Sequence, residues 1–300
     1  MAIRITSIAR AAALAAWAAG ALLAHATEGG TSVYPNGTEN YMAGALPPPG
    51  VYGMVFGNHY EATRVNDGSG NNLNVPGFKV QADVLAARLA WVPGAKVLGG
   101  DVVAHVIVPM VNLSVSVPSG SQSKSGVGDI TTGLGLGYHH SPNLHSVAAV
   151  DLFLPTGGYS QNDTANIGKN HFAFEPVYAL SYIDPAGFNG DLKFGYIFNS
   201  RNDATGYTSG NEFHFDYAAG WGLGNGWTVG VGGYYYQQTT DDSGTGAPAD
   251  GNRGSAMALG PSIKYDSGKG WFGTLKLEIE MNVKNRAQGS SVWLKLVFPL

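Results

Sequence analysis

Hydrophobic and polar residues alternate along most of this chain, in segments of about ten residues separated by clusters of Gly, Asn, Asp, Ser and Pro. A period of two sends successive side chains to opposite faces, so each segment predicts a β-strand with one apolar and one polar face. In residues 271–284, Gly273, Leu275, Leu277, Ile279, Met281 and Val283 share one face, and Thr274, Lys276, Glu278, Glu280, Asn282 and Lys284 the other. Phe213, Phe215, Tyr217 and Trp221 oppose Glu212, His214 and Asp216 in the same way. Leu192, Phe194, Tyr196 and Phe198 oppose Lys193, and Phe172, Phe174, Tyr178, Leu180 and Tyr182 oppose His171, Glu175 and Ser181. Two segments change phase, one near Pro109 to Asn112 and one where Arg88 interrupts the face carrying Val80, Val84 and Ala86, and each predicts a bulge.

About twelve strands result, near 51–61, 78–91, 101–117, 127–139, 146–155, 171–183, 191–199, 211–222, 227–239, 255–266, 271–284 and 290–299. Their connections alternate in length: short ones near 92–100, 140–145, 184–190, 223–226 and 267–270, and mostly long, polar ones near 62–77, 118–126, 156–170, 200–210 and 240–254, with 285–289 as the one short member of the second set. A sandwich has no reason to alternate so. An all-β, antiparallel transmembrane β-barrel does, with short periplasmic turns and longer extracellular loops. Trp221, Trp227, Tyr265, Trp271 and Phe272 stand beside the short turns, where a barrel places its interfacial girdle.

Composition narrows the class further. Gly supplies 44 of 300 residues and charged residues 13%, against about 7% and about 25% in an average soluble domain. The absence of Cys excludes disulfides, thiol catalysis and Cys-ligated metals. Arg4 and Arg10 precede the apolar run 11–24, and Ala24-His25-Ala26 supplies the small residues of a cleavage site, so residues 1–26 are expected to be a secretory signal peptide. Residues 27–50, ending in Pro47-Pro48-Pro49, are Gly/Pro-rich and aperiodic, which leaves them outside the barrel or inside it, and residues 51–300 form the barrel. The net charge of −4 offers no basic footprint for nucleic acid. The expected location is the bacterial outer membrane, with its lipid and lipopolysaccharide and the barrel-assembly machinery as partners.

The polar faces give the candidate lumen lining: Arg88, Asp151, Glu175, Lys193, Glu212, His214, Asp216, Lys264, Lys276, Glu278 and Glu280, with Lys284 continuing the last series. Their mixed signs suit either ion pairing across a narrow bore or a hydrated pore. Tyr234, Tyr235 and Tyr236 alternate too, so at least one faces inward as a candidate aromatic contact. On this reading Leu277→Arg is costly and Glu278→Arg is tolerated. No catalytic residue, metal or cofactor is expected: Ser209 lies in a loop while His214 faces the lumen, and His139, His140 and His145 flank a turn without a suitable carboxylate.

Pro155-Thr156-Gly157-Gly158-Tyr159, Ser209-Gly210-Asn211-Glu212, Gly233-Tyr234-Tyr235-Tyr236-Gln237-Gln238 with Asp241-Asp242, Leu259-Gly260-Pro261, Asn285-Arg286 with Gly289, and Trp293-Leu294-Lys295 follow one another in order. Together they resemble the family of outer-membrane proteins of the phenol meta-degradation pathway, from about Gly50 onward. The resemblance implies a β-barrel transporter for hydrophobic or aromatic carbon sources. The expected function is therefore passive passage of small hydrophobic or aromatic compounds, against a structural or adhesive barrel and, behind both, an outer-membrane lipid hydrolase.

Overall fold

The computed structural model describes residues 31–300, so the expected signal peptide lies outside the described residues. Twelve long antiparallel strands form the wall: β1 Gly50–Val65, β2 Lys79–Val92, β3 Gly100–Val117, β4 Ile130–His139, β5 Leu144–Leu154, β6 Ala173–Tyr182, β7 Phe188–Asn199, β8 Glu212–Gly222, β9 Trp227–Gln238, β10 Ser255–Asp266, β11 Phe272–Lys284 and β12 Ala287–Pro299. Each pairs with its sequence neighbours, and β1 pairs with β12 from Tyr52↔Pro299 to Val65↔Ala287, which closes the sheet. Closure leaves no edge strand, the condition for placing a sheet in lipid.

The alternation read from the sequence decides which side faces out. On β11, Leu275, Leu277 and Ile279 are exposed while Thr274, Lys276, Glu278 and Glu280 are buried. On β8, Glu212, His214 and Asp216 point inward. The apolar side is thus the outer surface, as lipid requires. At the short-turn end Trp91, Tyr182, Phe188, Trp221, Trp227 and Trp271 are exposed, and Tyr265 joins Trp227 and Trp271 at centroid distances of 4.8 and 5.7 Å. Phe272 is not part of this belt. It lies on the inward phase of β11, opposite Val297, with Lys295 Nζ 5.8 Å from its ring.

Four further expectations are corrected. No bulge occurs at Arg88: the β1–β2 ladder runs unbroken from Gly50↔Val92 to Ala62↔Val80, and the face of Val80, Val84 and Ala86 is itself the inner one. The β2–β3 ladder is likewise continuous past Pro109 to Asn112. The irregularity lies across from it, where β3 changes partner from β4 to the short strand Gly120–Val127 and Gly128 N–H donates to the Pro109 carbonyl. That strand occupies most of the loop expected at 118–126, extending the β3 hairpin. Finally, Asn282 adopts a left-handed conformation (φ 53°) beside a bulge between Ser255 and Met257, which inverts the phase of β11. Val283 is therefore buried with Tyr234, Tyr236, Ala256 and Ala258, and Lys284 faces outward.

Two outcomes are expected. Leu277→Arg sets a charge against lipid near mid-strand and should cost about 2–4 kcal/mol, read from the heat-modifiable gel mobility of the folded barrel. Gly246 and Gly268, both left-handed and facing open space, lie at opposite ends of the barrel. A tag at Gly246 should label on intact cells and one at Gly268 only after permeabilisation; labelling of both would refute the orientation.

Candidate functional site

Residues 31–49 run lengthwise through the barrel without joining any strand. At the long-loop end Lys169 Nζ donates to the Thr31 carbonyl (2.8 Å), and Tyr34 packs with Phe153, Ala173 and Ile197. At the short-turn end Leu46 packs against Ala90, Val92 and Val103. An irregular backbone here has no ladder to satisfy it, so its polar groups depend on wall side chains.

Those side chains are largely the candidate lumen residues. Asp216 accepts from the Tyr34 hydroxyl (2.6 Å), Gly37 N–H (2.8 Å) and Glu39 N–H (2.9 Å). Lys276 Nζ donates to the Gly37 and Glu39 carbonyls at 2.6 and 2.8 Å, while pairing with Glu278 at 2.8 Å. Arg88 pairs with Glu39 at 3.4 Å, and Lys264 Nζ stands 6.0 Å from the Tyr41 ring. Glu278 also accepts from Ser291, so it is a buried ion-pair member whose exchange for Arg would set two cations side by side, and the tolerance expected for Glu278→Arg is withdrawn.

The remaining candidates pair within the wall. Glu175 meets His214 Nε2 at 2.9 Å and Lys193 Nζ at 3.4 Å, and Asp151 meets His105 Nε2 at 2.9 Å. Both His–carboxylate pairs lie over a glycine. A Cβ on Gly195 would stand 1.9 Å from Glu175 Oε1, and one on Gly133 would stand 2.1 Å from Asp151 Oδ1, so only Gly leaves room for either pair. Glu212 accepts from Asn199 (2.9 Å), and Glu280 accepts from Tyr60 (3.1 Å), Gly289 N–H (2.7 Å) and Tyr234. Tyr236 is buried beside Arg286, at 4.7 Å, whereas Tyr235 faces outward and stacks on Phe215 at 5.4 Å.

Glu39, Tyr34, Tyr41, Asp191 and His105 were not singled out from the sequence, and Ser181, set on a polar face, and Lys295, part of a motif, were not among the lumen candidates. Lys295 shares its inward face with Trp293 and Val297, and it bonds Glu39 (2.9 Å) and the Tyr41 carbonyl (3.1 Å). Asp191 and Ser181 accept from Ala43 and Gly44 N–H at 3.0 and 2.7 Å. Asp191 and Lys295 carried a signal, since each shares the phase of an inward neighbour. On the outer wall, an apolar groove of about 610 Å³ opens between Tyr182, Phe188, Phe215, Tyr217 and Tyr235. Tyr217 crosses Gly233 there to donate to the Ala258 carbonyl (2.9 Å), which satisfies its hydroxyl in lipid.

Glu39 pairs with Lys295 of β12 and Arg88 of β2, and so fastens the segment to two strands at once. Amide hydrogen exchange across residues 37–44 should therefore be faster in Glu39→Gln than in the wild-type barrel at the same neutral pH; an unchanged rate would refute the role assigned to Glu39.

The fold matches the crystal structure of an outer membrane channel from Pseudomonas putida F1, at 20% identity and TM-score 0.76, over 86% of this chain and 98% of that one. Weaker likenesses include the translocator domain of the autotransporter NalP from Neisseria meningitidis (11% identity, TM-score 0.48, 86% and 91% covered) and the CymD monoaromatic hydrocarbon channel (10%, 0.41, 84% and 89%). No curated protein sequence matches. The model of the family described as the MetA-pathway of phenol degradation matches residues 62–296, nearly the whole barrel, and the chain belongs to that family.

Proposed function

We propose that this barrel lets small, largely apolar or aromatic solutes cross the outer membrane by passive diffusion, the inner segment shifting as they pass. One observation carries the reading: the wall is complete without the segment. Every wall strand has two partners, and residues 31–49 are held by side chains alone, so the segment can move without unzipping the sheet. A filler built as a thirteenth strand could not. Family membership and the likeness to an outer membrane channel support the same reading. The mechanism is diffusion down a gradient, with no covalent step. The lumen's charges are engaged with one another and with the segment, which gives a dissolved ion little to gain by entry.

Vesicles containing the purified barrel should take up labelled phenol and toluene several-fold faster than protein-free vesicles, and a cell lacking the protein should grow more slowly on a limiting aromatic carbon source but normally on a sugar. Deleting residues 31–49 should raise single-channel conductance. Uptake equal to that of empty vesicles would overturn the reading.

A further inference from the structure

Tyr34 lies flat against the wall at a site made by adjacent strands. Its ring stacks on the His214 imidazole, with centroids 4.2 Å apart and planes 17° from parallel, and Lys193 Nζ is 3.8 Å from its centroid. Its hydroxyl donates to Asp216 at 2.6 Å. The register explains the grouping: Asp216 faces Lys193 across β7 and β8, and His214 faces Gly195, whose missing side chain lets Glu175 orient both His214 and Lys193. Phe153, Ala173, Ile197 and Val33 supply apolar contacts around the ring. Next to it, His214 Nδ1 and Glu175 Oε2 have no hydrogen-bond partner.

A flat π surface, a cation at the ring, an anionic acceptor for one hydroxyl and an apolar rim are together what a phenol needs for recognition. The side chain that satisfies them is itself a para-substituted phenol, carried by a segment bonded to the wall only through side chains. We propose that this platform is a binding subsite for monohydric phenols, with Tyr34 as the built-in occupant that a solute phenol replaces when the segment shifts. The subsite deepens the channel reading and rests on it for its role, since the solute must reach the platform from the lumen. Asp216 sets the selectivity. A hydroxyl returns the charge-assisted hydrogen bond that Tyr34 gives up, whereas a hydrocarbon of the same shape leaves that acceptor position unfilled.

Tyr34→Ala tests this, because it removes a phenol ring from the platform and keeps the Gly37 and Glu39 bonds to Asp216. Cavities made this way accept the missing group from solution. The purified, full-length Tyr34→Ala barrel, checked as folded by heat-modifiable mobility, should bind phenol saturably in calorimetry, about tenfold or more tighter than benzene, as one hydrogen bond to a carboxylate warrants. Tyr34→Phe, with the platform still filled, should bind neither. Absence of saturable phenol binding by folded Tyr34→Ala, or equal binding of benzene, overturns the subsite. Vesicle uptake of phenol by the wild-type barrel separates the two claims. Uptake without binding by Tyr34→Ala overturns the subsite alone, and selective binding without uptake overturns the channel reading alone.

Discussion

A peptide that is neither helix nor strand can lie inside a membrane barrel only if something else satisfies its backbone. Here the wall does so, one side chain at a time. Asp216, Lys276, Lys295, Asp191 and Ser181 each bond a main-chain group of residues 37–44. That requirement accounts for the unusual interior. Charges are buried in numbers that an open aqueous pore does not need, and Lys276 and Lys295 each carry out two tasks, facing an opposite charge and a peptide group. The wall in turn must spare backbone room for them, and the glycines beneath the two His–carboxylate pairs meet that need.

How much of this could be read from the chain follows from where each signal resides. Strand faces are local: Leu277 and Glu278 differ in environment because they are adjacent, and adjacency is visible in the sequence. The twelve strands and the inward phase of Lys193, His214, Asp216 and Lys276 were legible for that reason. The phase failed at Val283 and Lys284, where one left-handed Asn inserts a residue into the ladder, a conformational event that leaves hydropathy unchanged. At Arg88 the error ran the other way, because Val80, Val84 and Ala86 are apolar and yet share the lumen face with Arg88.

The placement of residues 31–49 was not legible at all. The segment has no period, and its partners are remote: Asp216 is 179 residues from Gly37, and Lys276 is 239. Composition alone fits a free tail as well as a filler. The information lies in complementarity between a string of peptide groups and an inner surface, and neither half means anything until the barrel closes. Tyr34 illustrates this, since an aromatic in a Gly/Pro-rich stretch becomes meaningful only when β7 and β8 bring Lys193 and Asp216 opposite each other.

Glu39 sits between Arg88 of β2 and Lys295 of β12, two strands that flank β1 and so straddle the joint where the first and last strands meet. That joint could in principle zip in more than one register, because a shift of two residues restores every inward and outward face. Such a shift would carry Lys295 about 7 Å along the wall relative to Arg88, at about 3.4 Å per residue. One short carboxylate could then reach one cation or the other, but not both. The inner segment therefore works as a gauge on the seam: only the native alignment of the chain's two ends brings both cations to the same glutamate, and a mis-zipped cylinder is left with a buried charge that nothing offsets.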